Sequence, residues 1–520
     1  MPGSVLSVIA LGIFASRIAA VCDEMGAVLQ RSSFSPNIKD RLDLSCAIFD
    51  AEGGLCAQAA HIPVHMGSMA YAMRDIVSRM DWCEGDMVIL NDPFLGGTHL
   101  PDVTVIAPLF VDGQLVAFVA NRAHHADIGS ETPGSMPISR TLDEEGLVIP
   151  PTFLMRDATL LQDVMDQLVA KTSVPEQSYG DFAAQVSANR TGLTRLALLV
   201  NELGVTRFND AVAELNNYAE RLAETALQAI PDGEYRFTDV MDSDGLGNRN
   251  IPVTVAVRVK GSNVTVDFTG TAEQTHGNIN CPLSVAAAGV YYVFACLMPP
   301  YAPTCQGLFR RIELVAPEGS LVNARRPAAV AAGNVETSTR VVDTVMGALA
   351  QAIPEQIPAA SHGSMNNIAM GARQQMPGVS HQWDYYETVG GGMGGGPKNR
   401  GMDGIQTHMT NTRNTPVEVL ENLYPLRITH YSLRDDSGGN GLHRGGHGIS
   451  REFEFLEPAT VTLLTERRNH APWGLNGGEP GEPGRNLLNG QPLKDKESLT
   501  VKAGDKLTIE TAGGGGWGNP

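Results

Sequence analysis

Residues 98–129 read THLPDVTVIAPLFVDGQLVAFVANRAHHADIG. Two apolar runs, 103–110 and 115–120, flank Asp112-Gly113. An Asp-Gly pair suits a type I′ turn, whose two central residues need positive φ, so the stretch predicts a β-hairpin. A two-residue loop pairs Val111 with Gln114 and sets His124 opposite Pro101. His99 and Asp102 then fall within a residue or two of that pair. Two imidazoles and a carboxylate in one corner suit a divalent metal such as zinc. In a regular pleat, however, this register turns Asp102 to the face opposite His99 and His124. The three converge only if the strand end is irregular, as at a bulge. The plainer alternative makes both histidines ordinary polar residues at strand ends.

Upstream, residues 87–90 predict a strand running into a loop with Gly96-Gly97. Glycines there let backbone approach a ligand closely. The loop lacks the lysine and Ser/Thr of a phosphate loop. In HIPVHMGSM, residues 61–69, His61 and His65 are four apart with Pro63 between them. A helix can start there but not run through, so a helix is expected over 66–80. His65 near its start is a candidate for catalysis, or a polar residue beside a cap. Strands are expected over 45–49 and 55–58 around a longer turn. Asp40 and Asp43 stand before the first of these, as solvated turn residues or as an additional metal ligand or base. Residues 5–31 carry a helical apolar stripe.

Downstream, four prolines in 130–152 predict loop, with a lid as one use for it. Residues 158–229 are helical, broken at Pro175 and Gly204. The pattern changes at Pro231. Strands are expected over 234–240, 251–260, 263–268 and 310–315, and helices over 283–297 and 338–352. Residues 333–338 resemble a helix start with a threonine or serine cap. Six glycines in the seven positions 390–396 have the wrong spacing for a phosphate cradle. A close-packed loop at a site or interface fits them better. From 431 short strands alternate with glycine turns, and the final GGGGWGNP either docks through Trp517 or frays.

The predicted fold class is α+β, mixed and multi-domain. An N-terminal α/β region, 1–157, holds the hairpin metal site. A helical segment follows over 158–230, then a central α+β domain over 231–430. A glycine-rich, mostly β unit closes the chain over 431–520. Of 520 residues, 42% are apolar and 18% charged. That composition is globular. The formal charge is −19. It argues against a nucleic-acid surface without a concentrated basic patch, and none is visible along the sequence. Seven cysteines are scattered along the chain with no CxxC pair. They argue for reduced thiols and a cytoplasmic protein. The apolar start lacks a basic leader, and Arg17 leaves it too short to span a bilayer.

At NIKDRLDLSCAIFDAEG, HIPVHMGSM, NDPFLGGTHLPDVTVIAPLF and VANRAHHADIG the chain resembles the hydantoinase B/oxoprolinase family. The likeness continues through GNINCPLSVA, GNVETSTRVVD and ETVGGGMGGGP, in order and over nearly the whole length. It implies a hetero-oligomer in which a hydantoinase A-type partner binds ATP with Mg and phosphorylates the substrate's oxygen. The B-type subunit then carries a metal and completes the opening of a small cyclic amide such as a hydantoin, 5-oxoproline or a lactam. Family metal ligands fall on His99, Asp102 and His124, with Asp43 as a fourth and Asp40 ranked below it. Zinc is the first expectation for the metal and manganese the second. His65 and His125 are the candidates for moving a proton. The glycine-rich stretch 390–396 is a candidate partner surface. Two alternatives are a subunit of an ATP-dependent ketone carboxylase of the acetone or acetophenone type, and a non-catalytic assembly subunit.

Overall fold

The Asp112-Gly113 turn joins strands Asp102–Val111 and Gln114–His124 of a seven-stranded antiparallel sheet. In chain order its strands are β1 (Leu44–Asp50), β2 (Leu55–Gln58), β3 (Met87–Leu90), β4 (Asp102–Val111), β5 (Gln114–His124), β6 (Thr152–Arg156) and β7 (Thr159–Leu160). Across the sheet they run β2-β1-β5-β4-β3-β6-β7. This computed structural model describes residues 7–59, 62–373 and 376–520. His61, and the first two residues of the expected N-terminal helix, lie outside the described residues.

Both faces of the sheet are covered, which explains why β4 and β5 read as continuous apolar runs. Val103, Val105, Val119 and Ala123 join the core beneath helices Val8–Ser32 and Pro175–Leu203. Ile106, Phe118 and Ala120 pack with Met69, Met73 and Ile76 of helix Pro63–Ser78. That helix begins at Pro63, earlier than expected. Proline is well suited to the first helical turn, because its missing N–H would be unpaired there anyway.

Three local expectations need correcting. Residues 159–160 are the edge strand β7, and the helix starts only at Gln162. The proline-rich stretch 130–152 is no exposed lid, since Ser135, Met136, Leu142 and Glu145 are buried. Residues 333–337 form a π-helical turn leading into helix Ser338–Leu349, and neither Thr337 nor Ser338 caps it. Thr337 Oγ1 donates to the Ile279 carbonyl and Ser338 Oγ to that of Asn334.

A second sheet comprises Gly233–Ser243, Arg249–Lys260, Asn263–Asp267 and Ile312–Val315. In a third, Asn367–Ala372 lies between Trp383–Glu387 and Ala459–Leu464, with Lys496–Val501 beyond. The fourth is built from Leu426–Arg434, Gly448–Phe455, Lys506–Glu510, Arg485–Leu488 and Gln491–Pro492. Among the described residues no helix is long and apolar enough to cross a membrane.

The glycine-rich runs meet each other. Gly392 N donates to Ala512 O at 3.0 Å, Gly395 N to Gly515 O at 2.8 Å and Gly446 N to Met393 O at 2.7 Å. Gly514 N donates to Gly446 O at 2.9 Å. Backbone packs on backbone, and a Cβ at Gly392, Gly446 or Gly514 would strike a carbonyl or amide of the neighbouring run. Glycine is needed here for close approach. Gly390, Gly391, Gly392, Gly394 and Gly395 are therefore interior, which leaves little of 390–396 to serve as a partner surface. The terminal run is docked, with Trp517 buried and its backbone N–H donating to His443 O at 2.9 Å.

Overpacking a filled interior costs about 1–3 kcal/mol. Gly446→Ala and Gly514→Ala should each lose about that much. Gly12 lies on an exposed helical face with open space around it. There, Gly12→Ala should gain roughly 0.5–1 kcal/mol, since glycine loses more freedom on entering a helix. Urea-unfolding midpoints check both, and a wild-type midpoint for Gly514→Ala would contradict the packing.

Candidate metal centre

Asp102 and His124 face each other across the β4–β5 ladder. The irregularity that aligns them lies beside the turn, between Leu109 and Phe110, where an extra residue on β5 shifts the register. The bulge is thus at the far end of the ribbon from the ligands it brings into line. His99 sits in the turn before β4, its Nε2 3.2 Å from Asp102 Oδ1. His124 Nδ1 is 3.0 Å from the same oxygen. Among the described residues, these three form the one cluster with metal-holding geometry, their ligand atoms within 4.8 Å of one another.

The donor chemistry fits a cation. His99 Nδ1 lies 3.2 Å from the Ala331 carbonyl. A carbonyl can only accept, so Nδ1 carries the proton. His99 Nε2 is left with a lone pair facing a carboxylate oxygen, an unfavourable pairing unless a proton or cation joins them. Nε2 of His99 and of His124 are both buried without a hydrogen-bond partner. Ligands about 2.0 Å from a tetrahedral ion sit roughly 3.3 Å apart, close to the spacing seen here. Burial pushes the Asp102 carboxyl up, but His99 and His65, with the His124 hydrogen bond, outweigh it and hold it well below the usual carboxylate range.

A cavity of about 20 Å³ opens beside these groups, lined by Asp43, His65, Asp102, His124, Asn334 and Tyr386, among others. His65 Nε2 lies 3.2 Å from Asp102 Oδ2 and 4.0 Å from Asp43 Oδ1, and Ser45 Oγ lies 3.2 Å from its Nδ1. Asp43 faces the cavity but is not in the metal-holding cluster, and Asp40 lines neither. His125 goes the other way. Strand alternation sends neighbours to opposite faces. His125 therefore stacks on Phe182 at 4.3 Å and meets Gln185 Oε1 at 3.0 Å, both on helix Pro175–Leu203.

The sequence profile of the hydantoinase B/oxoprolinase family matches residues 7–520. The chain belongs to that family. 5-Oxoprolinase 1 of Arabidopsis thaliana is 37% identical over 550 residues, which cover 99% of this chain and 42% of that protein. The chain thus spans less than half the length of that relative. The crystal structure of the ATP-dependent caprolactamase from Pseudomonas jessenii matches with a TM-score of 0.91 at 27% identity, covering 99% of this chain and 92% of that one. A nucleotide-free acetone carboxylase shares the fold, with a TM-score of 0.86 at 17% identity over 98% of this chain and 76% of that one.

In this hydantoinase B/oxoprolinase chain, four supporting residues escaped the sequence reading. Thr98 Oγ1 and Asn334 Nδ2 donate to Asp102 Oδ2 at 2.7 and 3.1 Å. Gly333-Asn334 sat in the stretch read as a helix cap, and the polar residue after a glycine was the available signal. Tyr386 stacks on His124 at 4.7 Å and donates from its hydroxyl to Asn367 Oδ1 at 2.5 Å. Glu145 Oε1 accepts from Val330 N and Ala331 N, each at 2.9 Å, and from Ser139 Oγ at 2.7 Å. It thereby holds the carbonyl that orients His99. No local pattern marked Tyr386 or Glu145.

Burial pushes the Glu145 carboxyl up from 4.5 to about 7 despite its donors. A carboxyl raised in the folded state stabilises the fold below its unfolded pKa, and that contribution is lost as pH rises through the folded value. Glu145 therefore stabilises the chain near pH 4.5 and ceases to do so above about pH 7. In chelator-treated protein, Glu145→Gln should flatten the fall in stability across that window. Urea unfolding at stepped pH measures the slope, and an unchanged slope would remove Glu145 as its source.

Proposed function

We propose that this chain is the B-type subunit of an ATP-dependent cyclic-amide hydrolase, acting with a hydantoinase A-type partner. The observation that carries the reading is the buried His99–Asp102–His124 cluster, of which Asp102 and His124 line a small cavity. The 5-oxoprolinase and caprolactamase relatives support the reaction class. The Arabidopsis oxoprolinase is more than twice as long as the part this chain matches, which supports a second functional part supplied elsewhere.

An amide carbonyl is a poor electrophile because resonance delocalises the nitrogen lone pair into it. Phosphorylation of its oxygen by the A-type partner turns that oxygen into a leaving group. Residues 1–520 contain no phosphate loop with its lysine and Ser/Thr. That suits ATP being handled by the partner. His99, Asp102 and His124 would hold the divalent metal, zinc or manganese, with Asp43 facing the same cavity. When bound, the metal supplies Lewis acidity at neutral pH. His65 meets Ser45 through Nδ1 and Asp102 through Nε2. There it can pass a proton between Asp102 and the cavity. His125, on the other face of the sheet, supports the strand rather than the chemistry. The cavity beside the cluster measures about 20 Å³. That admits a water or an ion but no ring. A ring therefore enters only if this lining opens.

His99→Ala and His124→Ala should each lower bound divalent metal to well below stoichiometric after dialysis, while His125→Ala retains it. Elemental analysis checks this. Full metal in His99→Ala would move the centre elsewhere, whereas clearly substoichiometric metal in the wild type, with His99→Ala still active, would favour an assembly subunit. With its A-type partner, the chain should open 5-oxoproline, hydantoin or caprolactam only when ATP is present. Turnover of a ketone that requires bicarbonate, with no ring opening, would instead make it a carboxylase subunit.

A further inference from the structure

A second cleft, of about 530 Å³, lies between the start of strand Arg249–Lys260 and the hairpin of Arg485–Leu488 with Gln491–Pro492. It shares no lining residue with the metal-centre cavity. Its charged lining is Arg249, Arg468, Arg485 and Lys494 against Asp495 alone. Arg249 lies more than two hundred residues from the other three, so the fold brings it to them. The chain's net charge is −19. Its overall field repels anions, so a local excess of cations needs its own cause.

The single acid is turned inward. Asp495 accepts from Ser243 Oγ and lies 3.6 Å from Lys496 Nζ. Arg485 is paired with Glu510 at 2.6 Å. The other three cations have no carboxylate partner among the described residues. Arg468 is the fixed one. Its Nε and Nη2 donate to Asn486 Oδ1 at 3.1 and 2.8 Å, and its Nη1 donates to Asn366 Oδ1 at 2.7 Å and to the Glu466 carbonyl at 2.8 Å, all neutral acceptors. Gly484 makes room for it, since a Cβ there would come within 2.7 Å of Arg468 Nη1. Burial draws the Arg468 pKa down to about 10. Such a shift is expected of a cation held without a carboxylate in contact. Arg249 and Lys494 are exposed at the rim. Leu487, Pro492 and Leu493 supply an apolar wall. A volume of this size is typical of small-molecule sites, where apolar walls bind the body and a few polar groups orient it.

We propose that this cleft binds a small organic phosphate, its phosphate group held by Arg468, Arg249 and Lys494 and its body resting on Leu487, Pro492 and Leu493. Arg468 keeps one Nη2 hydrogen and its charge for the phosphate, and the exposed guanidinium fork of Arg249 matches the phosphate oxygens from the rim beside Lys494. The site is independent of the metal centre and of the reaction assigned to it.

Calorimetric titration of the full chain with ADP, and separately with inorganic phosphate, tests the site. ADP should bind saturably and at least tenfold more tightly than inorganic phosphate, which has no body for the apolar wall. Arg249→Glu and Lys494→Glu, both at exposed positions that leave the fold intact, should each weaken ADP binding at least tenfold. His99→Ala should leave it unchanged. Absence of saturable binding at millimolar ADP would overturn the proposal. So would equal affinity for inorganic phosphate, wild-type affinity in both charge reversals, or loss of binding in His99→Ala alone.

Discussion

The carboxylate of Asp102 is fully buried. An ionised carboxylate away from water is costly unless donors or cations surround it. Its neighbours come from separate parts of the chain. Thr98 and His99 arrive on the preceding turn, His124 on the adjacent strand, His65 on a helix and Asn334 on the π turn more than two hundred residues on. Each of these segments brings at least one group to that side chain. The contacts that build the centre therefore also join these segments.

Alternation along β5 divides the histidine pair between two environments. His124 joins the carboxylate on the face covered by helix Pro63–Ser78. His125 joins an amide network on the other face, where Asn121, Gln185 and Asn189 bond one another and the β4 backbone. Arg122 shares His124's face and ties three elements together. It donates to Thr104 Oγ1 on β4, to Ser68 Oγ on the His65 helix and to the Gly96 carbonyl of the loop leading to His99.

Behind the π turn, helix Ser338–Leu349 is anchored by buried charges. Arg340 reaches Asp239 and Glu466, each at 3.2 Å, and Arg467 reaches Asp239 and Asp343, each at 2.7 Å. Removing one member would leave another charge buried and unpaired, so the network holds the second sheet, this helix and the C-terminal sheets in one arrangement. The glycine layer supports the segment in front. Gly391 packs against His362 and Gly394 against Ala359, and the same segment continues to Met365 at the cavity wall.

The sequence by itself determined the hairpin, the helices broken at Pro175 and Gly204 and the strands after Pro231. Turn chemistry and apolar period are local, and these elements depend on little else. It also brought His99, Asp102 and His124 to one corner, because a two-residue turn converts distance in sequence into proximity. Tertiary structure decided which face each ligand points to, since a one-residue register shift beside the turn inverts every side chain beyond it. Likewise, only the fold seated Asn334, Tyr386 and Glu145 around the centre and buried the glycine runs against each other. Those outcomes depend on contacts between residues hundreds of positions apart, where no local pattern carries the information.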